Sequence, residues 1–399
     1  MRALFAADPL FSGGFDLSVV LFVVVKALIG FTFVIVGVIL MIWFERKVIS
    51  DMQNRIGPNR AGPWGLLQTL ADGIKLIFKE DLRPERSDKL VFRLAPYLSV
   101  APAFLTFCIV PIGGVFTGGG DGTVTLFGKT TYLQVADPPI GVLFLLAMSS
   151  VAVYGVMLAG WSSGSKYPLL GAVRASAQMV SYEAALGLSV VTVILLSGSL
   201  STHDIVAQQA SGILDWNFVA TAFIPFAIFC VAATAELNRP PFDLVEAEQE
   251  LVGGFHTEYS SIRFGMFYLA EFMNTITMSA IIVTLFLGGP AGPIGPGPEQ
   301  LWPFFWFTVK LLAFLFAFVW VRATLPRFRY DQLMDLGWKR LIPLSLGWLL
   351  LVASLRVADD QGWDRFLVVG IAFALGLAAA FLMMGAIRVA DINRERVDA

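Results

Sequence analysis

The sequence has few of the residues that bind metals or form disulfides. It contains two cysteines and two histidines among its 399 residues. Cys108 and Cys230 lie inside apolar stretches, and neither has a second sulfur or a histidine at metal-ligand spacing. His203 and His256 are too far apart in sequence to form a local metal or haem motif. We therefore predict that this chain itself holds no metal site and no iron–sulfur cluster.

Charged residues are also scarce. They make up 15% of the chain, whereas 57% of the residues are hydrophobic and the mean hydropathy is +0.74. A soluble domain of this length could not cover so much apolar surface, so the composition indicates a polytopic membrane protein. The net charge of −2 excludes a nucleic-acid partner, because phosphate binding needs a concentrated basic face. The N-terminus lacks the features of a cleaved signal peptide, so we expect the first span to be retained.

Nine apolar windows are long enough to cross about 30 Å of hydrocarbon as helices. We predict a single all-α membrane domain over residues 1–399. The windows fall at roughly 17–44, 94–116, 139–160, 177–198, 217–236, 263–287, 302–322, 340–356 and 366–387.

Lysine and arginine indicate the orientation of these spans, because loops that stay in the cytoplasm are enriched in them. With the N-terminus outside, the inner loops hold 22 of the 28 basic residues and the outer segments hold four. The predicted topology therefore has the N-terminus outside and the C-terminus in the cytoplasm.

The first inner loop contains a turn cluster, "GPNRAGP", followed by a predicted helix at Trp64 to Glu80. On a helical wheel its apolar residues occupy one half and its charged residues the other. Such a helix is expected to lie along the membrane boundary on the cytoplasmic side. It is either a surface anchor or one wall of a route by which a lipid-soluble substrate enters the protein.

Five ionisable residues fall within or at the end of predicted spans: Lys26, Glu183, Glu236, Glu271 and Lys310. Charges in spans are costly, so they usually face partners or water and mark function. Each could instead be a buried structural pair or a snorkelling side chain. Together, the carboxylates indicate a proton relay, because a low-dielectric site allows a carboxyl group to exchange its proton near neutral pH.

The loop after the fifth span, "AELNRPPFDLVEAEQELVGGFHTEYS", carries six carboxylates and one arginine. On a helix, Asp243, Glu246 and Glu250 would share a face and Glu248 would point away. A solvated acidic loop is the alternative, but apolar residues interleave with the acids throughout. The inner segments also place Arg174 on one stretch with Glu183, and they include Arg327 and Arg329, which are either ordinary inner-loop charges or contacts to a cytoplasmic partner.

Four inner segments carry a family resemblance. "ERKVISDMQNRIGPNRAGPWGLLQTLADGIKLIFKED", "GWSSGSKYPLLGAVRASAQMVSYE", the acidic loop and "RATLPRFRYDQLMDLGWK" resemble, in this order, the signature loops of the H subunits of bacterial NADH:quinone oxidoreductase, respiratory complex I. Mitochondrial NADH dehydrogenase subunit 1 is the equivalent protein. Related subunits of membrane-bound hydrogenases share weaker versions of these motifs. The resemblance covers a core of about 17–356, and the ninth span and its tail, about 357–399, depart from the usual eight spans.

This resemblance implies a membrane-arm subunit that forms a quinone entry chamber and the start of an acidic proton path. Quinone would be a substrate, and flavin and iron–sulfur clusters would belong to partner subunits. The partners implied are the peripheral-arm quinone-site subunits, the neighbouring small membrane subunits and lipids, in a bacterial inner membrane. By motif, the chamber residues would be Glu45, Arg46, Gln53, Arg55, Arg60, Asp72, Lys75, Arg174, Arg239, Arg327 and Arg329. The proton or coupling path would include Glu183, Glu236, Asp243, Glu246, Glu248, Glu250, Glu258 and Glu271.

Two other classes of protein fit the sequence less well. A secondary transporter or channel with acids at the membrane midplane would predict internal repeats, and none is visible in the sequence. A purely structural anchor for a soluble redox module explains the inner loops but gives the carboxylates inside the spans no role. The chain alone is expected to have no enzyme activity and to contribute to that of a complex.

Overall fold

The computed structural model describes residues 8–11, 14, 16–117, 120–126, 128–245 and 248–364, together with scattered positions from 368 to 389. Most of these residues lie in helices, which confirms the predicted all-α class. The helices are α1 (Leu17–Met52), α2 (Gln68–Phe78), α3 (Lys89–Phe107), α4 (Gly141–Ser162), α5 (Lys166–Ser197), α6 (Thr202–Gln208), α7 (Asn217–Ala220), α8 (Ile224–Glu236), α9 (Glu248–Leu251), α10 (Ser261–Phe286), α11 (Leu301–Thr324), α12 (Tyr330–Leu336) and α13 (Ile342–Gln361). A short antiparallel hairpin pairs β1 (Thr123–Leu126) with β2 (Lys129–Tyr132).

Seven stretches of helix in the described part of the chain are long and apolar enough to cross a membrane. They are α1, α3, α4, α5, α10, α11 and the continuous stretch from Tyr330 to Gln361, in which a π-helical turn joins α12 to α13. These seven correspond to seven of the predicted spans and support a multi-pass membrane protein. The predicted ninth span, 366–387, and the tail behind it lie mostly outside the described residues.

The predicted fifth span, 217–236, is wrong as one continuous helix. The structure divides it into α7 and α8, separated by a turn in which Ala222 (φ 52°) and Phe223 (φ 69°) are left-handed. Pro225 follows in the first turn of α8, where its missing N–H costs little. The 13 residues of α8 extend for only about 20 Å, less than the hydrocarbon thickness. Because the residues around the break are apolar, hydropathy alone does not reveal it.

The amphipathic segment after α1 forms a shorter helix than the predicted one from Trp64 to Glu80. It begins with a 3-10 turn, Pro63–Gly65, and continues as α2. Gly65 has a φ of +76°, and a Cβ there would lie 2.4 Å from the carbonyl carbon of Pro58, so this tight turn requires glycine. The tight turn that brings Gly65 against Pro58 therefore comes directly before α2.

Helix α10 runs through the centre of the bundle. Met273, Ile282 and Phe286 on this helix are fully buried, and α1, α3, α8 and α11 pack around it. Because membrane helices gain little from burying apolar groups that lipid would also accommodate, close packing and polar contacts hold such a bundle together. The buried hydroxyl groups of Thr275, Ser279 and Thr284 on this helix donate to carbonyl oxygens one turn earlier on α10.

The two lysines within predicted spans have structural partners. Lys26 forms an ion pair with Asp8 at 3.0 Å and donates to the Thr131 hydroxyl at 2.9 Å, which ties α1 to the hairpin. Lys310 donates from Nζ to three backbone carbonyl oxygens, those of Leu287, Gly289 and Ala291, at distances from 2.7 to 3.0 Å. These contacts favour the structural alternative that the sequence left open for both lysines.

Candidate functional site

A large cavity of about 1000 Å³ opens between α1, α2 and α10. Ligand pockets commonly measure about 300–1,000 Å³, so this cavity is large enough for a bulky organic molecule. Apolar side chains form much of its wall, including Val38, Ile42 and Leu269. Charged side chains gather on the rest: Glu45, Arg46, Arg55, Asp72, Lys75 and Arg322. The cavity suits a molecule with a polar end and an apolar body.

Helical spacing explains why these residues meet at one wall. On α1 the lining positions run from Val38 through Ile42 and Glu45 to Ile49, which are neighbours at three- and four-residue intervals. A face of α2 and a face of α10 supply the remaining walls in the same way. Gly265 of α10 lies where a Cβ would come within 3.1 Å of Leu76, so glycine allows α2 and α10 to approach closely.

Glu45 is the buried acid of this wall, with 7% of its surface exposed. Both of its carboxylate oxygens lie 3.3 Å from Nη1 of Arg239, which is equally buried. Arg322 also donates to Glu45. Nearer the rim of the cavity, Arg46 pairs with Asp72 at 2.8 Å and joins α1 to α2. A buried carboxylate is tolerated only with such partners, because an unpaired one costs several kcal/mol.

A second, smaller cavity of about 60 Å³ lies along an adjacent face of α10. Because one water needs roughly 10–15 Å³ by this measure, the cavity has room for a few water molecules. Its polar lining includes Glu236, Asn238, His256, Glu271 and Asn274. Two predicted path carboxylates, Glu236 and Glu271, therefore line the same cavity.

Two serines of α4 hold carboxylates beside this space. Ser149 donates to Glu236, and the adjacent Ser150 donates to Glu183 on α5. Consecutive residues of a helix point about 100° apart, so one short stretch of α4 reaches two neighbouring helices. These serines were missed by the sequence analysis, although a pair of hydroxyl residues in an apolar span was the available signal.

Arg239 connects the two cavities. Its Nε lies 2.7 Å from Oε1 of Glu271, which lines the small cavity, while its Nη1 contacts Glu45, which lines the large one. The guanidinium carbon also lies 4.4 Å from the ring centroid of Phe272. One buried cation is therefore shared between an acid of each cavity.

The loop that carries Arg239 is held by Gln178 of α5. The side-chain amide of Gln178 donates to the carbonyl oxygens of Ala235 at 2.7 Å and Phe242 at 2.9 Å, and to Oδ1 of Asn238 at 3.1 Å. Sequence analysis missed this residue, because a glutamine in a helix gives no signal of its distant partners. Its bonds fix both ends of the turn that presents Arg239.

The acids that follow Arg239 do not lie on one helix. The described helix in this loop, α9, begins at Glu248, whereas Asp243 precedes it in irregular backbone and pairs with Arg327 at 3.0 Å. Glu250 pairs instead with Arg174 at 2.6 Å, and most of its side chain is exposed. The predicted common face for Asp243 and Glu250 is therefore wrong, because the chain turns before a helix can form.

The structure divides the motif residues into groups. Of the eleven predicted chamber residues, those that line the large cavity are Glu45, Arg46, Arg55, Asp72 and Lys75. Arg239 reaches it through Glu45, and Arg174 and Arg327 pair with loop acids. Gln53 and Arg60 are exposed outside the cavity lining, and the Arg329 side chain is 76% exposed beside Asp331.

The predicted path acids are divided in the same way. Glu236 and Glu271 line the small cavity, and Glu183 lies next to it through the paired serines of α4. Glu258 is half-buried in the connection to α10, Glu246 lies outside the described residues, and only the backbone of Glu248 is described.

His256 and Tyr268, which the sequence analysis did not assign to this site, also line the small cavity. Burial lowers the pKa of His256 from 6.5 to about 4 and keeps its ring neutral. Among the described residues, no group of three His, Cys, Asp or Glu residues is arranged to hold a metal ion. The absence of bound metal, cluster and flavin from the chain stays a prediction.

Known proteins resemble this chain over most of its length. The family model described as NADH dehydrogenase matches residues 25–353. The H subunit of the NADH-quinone oxidoreductase of Streptomyces avermitilis is 48% identical over 380 residues, which are 94% of this chain and 81% of that protein. The H subunits of the same enzyme from Frankia casuarinae and Frankia alni are 52% identical over 348 residues and 50% identical over 371 residues. These alignments cover 86% and 91% of this chain, and 74% and 80% of the respective Frankia proteins. The chain therefore belongs to the NADH dehydrogenase family, together with these H subunits of NADH-quinone oxidoreductase.

Proposed function

We propose that this chain is a membrane-arm subunit of a proton-translocating NADH:quinone oxidoreductase. In this proposal the large cavity is the quinone entry and binding chamber, and the small cavity is the start of the acid path to proton translocation. The observation that carries the proposal is the position of Arg239, which contacts Glu45 in one cavity and Glu271 in the other.

The large cavity suits a quinone in size and polarity. Its apolar stretches accept a prenyl tail and the faces of the ring, and its charged wall accepts the ring oxygens. Reduction of a quinone to a quinol takes up two electrons and two protons. The electrons come from partner subunits of the complex, and the chamber residues Glu45, Arg46 and Arg322 orient the ring and respond to its change of charge.

Sharing of one cation links the two cavities. A unit charge at about 4 Å changes the energy of a neighbouring charge by about 4 kcal/mol at an effective dielectric constant of 20, several times the thermal energy. A new negative charge in the chamber competes with Glu271 for Arg239. Weakening of the Arg239–Glu271 contact then favours proton uptake by Glu271 from the small cavity, and restoration of the contact favours its release.

From Glu271, water in the small cavity connects to Glu236, and the two serines of α4 bring Glu236 close to Glu183. Asp243, Glu250 and Glu258 belong to the loop that carries this site, and Asp243 holds the loop to Arg327. We propose that the loop acids tune the position of Arg239, while the three acids of the helices carry the proton.

The proposed setting is a bacterial inner membrane, with the N-terminus outside and the C-terminus in the cytoplasm. The proposed partners are the peripheral-arm quinone-site subunits, the small membrane subunits beside this chain, and lipids. A membrane-bound hydrogenase-type complex is not favoured, because all three relatives described above are subunits of NADH-quinone oxidoreductases.

The test uses the assembled complex in sealed vesicles. We expect Arg239→Gln to lower quinone reduction by about tenfold or more, because both Glu45 and Glu271 lose a charged partner. Arg239→Lys, which keeps the charge, should retain part of the activity. Glu271→Gln should lower the number of protons translocated per electron more than it lowers quinone reduction. NADH oxidation with a hydrophilic artificial electron acceptor reports whether the complex is assembled and whether the subunits that take electrons from NADH are active.

Arg356→Gln is the matched control. Arg356 is an exposed arginine of α13 and lines neither cavity. Its replacement should therefore change neither the rate of quinone reduction nor the number of protons translocated per electron. If Arg239→Gln and Glu271→Gln both assemble and retain normal quinone reduction and proton translocation, the chain is a structural anchor and the proposal is wrong.

A further inference from the structure

The large and the small cavity meet at one side chain. Among the described residues, Tyr268 of α10 lines both cavities, and every other lining residue belongs to one of them. Although it lies on the central helix, Tyr268 is 39% exposed. The wall between the two spaces is therefore one aromatic ring thick at this point.

The spacing of residues on α10 explains this position. Phe264, Tyr268 and Phe272 follow one another at four-residue intervals and face the large cavity. Phe267 and Glu271 lie on the adjacent face and line the small cavity. Tyr268 stands on the border between the two faces, where a large side chain can fill the gap.

Neighbouring rings hold Tyr268 in place. Its ring centroid lies 5.0 Å from that of Phe264, 6.3 Å from that of Phe272 and 6.4 Å from that of His256. The His256 contact is nearly perpendicular, at 79°. Aromatic contacts at such centroid distances favour one orientation of the ring.

We propose that Tyr268 is the partition between the large cavity, which is the quinone chamber, and the small cavity, which is lined by Glu236 and Glu271 and is called the acid cavity below. This inference rests on the proposed function. Arg239 passes a change of charge from one space to the other, while the Tyr268 ring prevents water and the quinone ring from crossing. Without the partition, a continuous water chain would supply the protons for quinol formation from the acid cavity, and the path carboxylates would discharge into the chamber.

The partition therefore affects coupling more than chemistry. Quinone reduction needs only electrons, two protons and a bound ring, all of which remain available after the cavities merge. Proton translocation requires that protons leave the acid cavity along the acid path. A leak of protons into the chamber would prevent this. Tyr268 is a positioning residue in this sense, because it acts on the boundary and takes no part in the redox step.

The test compares three variants of the assembled complex in sealed vesicles: Tyr268→Ala, Tyr268→Phe and Ile42→Ala. We expect Tyr268→Ala to lower the protons translocated per electron by about twofold or more while quinone reduction continues, because excluding water is what prevents proton leakage. Tyr268→Phe keeps the ring and should keep the ratio. Ile42 lies on the α1 wall and lines the large cavity but not the small one. Ile42→Ala should therefore alter the KM for quinone without changing the ratio.

A second measurement reports the boundary itself. Asn274 lines only the small cavity, so Asn274→Cys places a thiol behind the partition. A small water-soluble maleimide should label this thiol several times faster when Tyr268 is replaced by alanine than when Tyr268 is present. If Tyr268→Ala does not assemble, Tyr268→Leu, which removes the ring but keeps apolar bulk, serves in both measurements.

The partition is disproved if the assembled Tyr268→Ala or Tyr268→Leu complex has an unchanged proton-to-electron ratio and an unchanged labelling rate. If Arg239→Gln lowers quinone reduction and Glu271→Gln lowers the protons translocated per electron in the same vesicles, this failure concerns the partition alone. If those two variants behave as the unmodified complex, the proposed function fails first.

Discussion

At the scale of single residues, the buried charges of this chain are shared among several partners. Glu45 contacts Arg239 and Arg322, while Arg239 contacts Glu45 and Glu271. Removing one partner of a buried pair typically costs about 3–5 kcal/mol, because the other charge is left uncompensated. A shared cation avoids this cost when one partner changes its charge, since the second partner remains. Such an arrangement can switch without destabilising the fold.

The neutral state of His256 predicts an acid sensitivity. Its pKa is lowered by burial from 6.5 to about 4, so the folded chain binds its proton less readily than the unfolded chain. Stability from this group is complete above about pH 6.5 and falls as the pH decreases toward 4, by at most about 3 kcal/mol. We expect His256→Asn to narrow the difference in thermal unfolding midpoint between about pH 7.5 and about pH 5.

His203→Asn is the control for this measurement. His203 is the other histidine of the chain and lies against Tyr132 near the hairpin, far along the sequence from the acid cavity. If both substitutions narrow the difference equally, or if neither does, burial of His256 is not the cause of the acid sensitivity. The carboxyl groups of Glu236 and Glu271, which line the same cavity, remain in every variant.

At the scale of elements, α2 acts as one wall of the large cavity. Thr69, Asp72, Gly73 and Leu76 line it, and α2 has no buried residue of its own. Many of its apolar side chains are exposed, including Ile77 and Phe78. This arrangement favours the second alternative raised by the sequence, a helix that borders a route for a lipid-soluble molecule.

Gly73 allows this role to be tested. A Cβ at Gly73 meets no atom within 4 Å, and Gly73 lines the chamber, so Gly73→Leu adds apolar bulk at the chamber wall. We expect the KM for quinone to rise by roughly tenfold or more, with a smaller change in kcat, because even one added methylene group in an apolar pocket is worth about 1–3 kcal/mol. Steady-state kinetics with quinones of short and long tails measures the effect.

Gly187→Leu is the matched control for the α2 wall. Gly187 lies on α5, also has no atom within 4 Å of an added Cβ, and lines neither cavity. Replacing glycine by leucine should favour each helix by up to about 1 kcal/mol, so neither change should impair assembly. An equal effect of the two substitutions on KM would exclude α2 as a chamber wall.

At the scale of the whole molecule, the contacts of α1 define two ends of the bundle. Lys26 contacts the hairpin, and Glu45 contacts Arg322 at the end of α11. Lys26 and Glu45 are 19 positions apart on one helix and therefore about 28 Å apart along its axis, close to the hydrocarbon thickness. The hairpin and α12 therefore lie at opposite ends, and the distribution of lysine and arginine predicts which end is outside.

Sided labelling tests that orientation. In a chain whose two native cysteines are replaced by serine, Thr130→Cys places a thiol on the hairpin and Asp335→Cys places one on α12, both at exposed positions. We expect an impermeant maleimide to label the first in intact cells and the second only in inverted vesicles. The reverse pattern would contradict the predicted topology, and labelling of both positions from one side would contradict the span assignment.

Most spans were predictable from sequence because hydropathy is a local property. The apolar windows match α1, α3, α4, α5, α10, α11 and α13, since a helix that crosses hydrocarbon must be apolar over its length. The break between α7 and α8 was not predictable in this way. It depends on left-handed backbone at Ala222 and Phe223 and on distant partners such as Trp348, whose Nε1 donates to the Thr221 carbonyl oxygen at 3.1 Å.

The sequence by itself determined the membrane class, the spans and the presence of costly charges within them, because each follows from the composition of a short segment. Tertiary structure decided which charges act together. Glu45, Arg239 and Glu271 are far apart in the chain, and only the packing of α1, the loop after α8 and α10 brings them into contact. The physical reason is that electrostatic contact depends on a few ångströms of distance and on the exclusion of water, which helix packing sets and residue type alone does not.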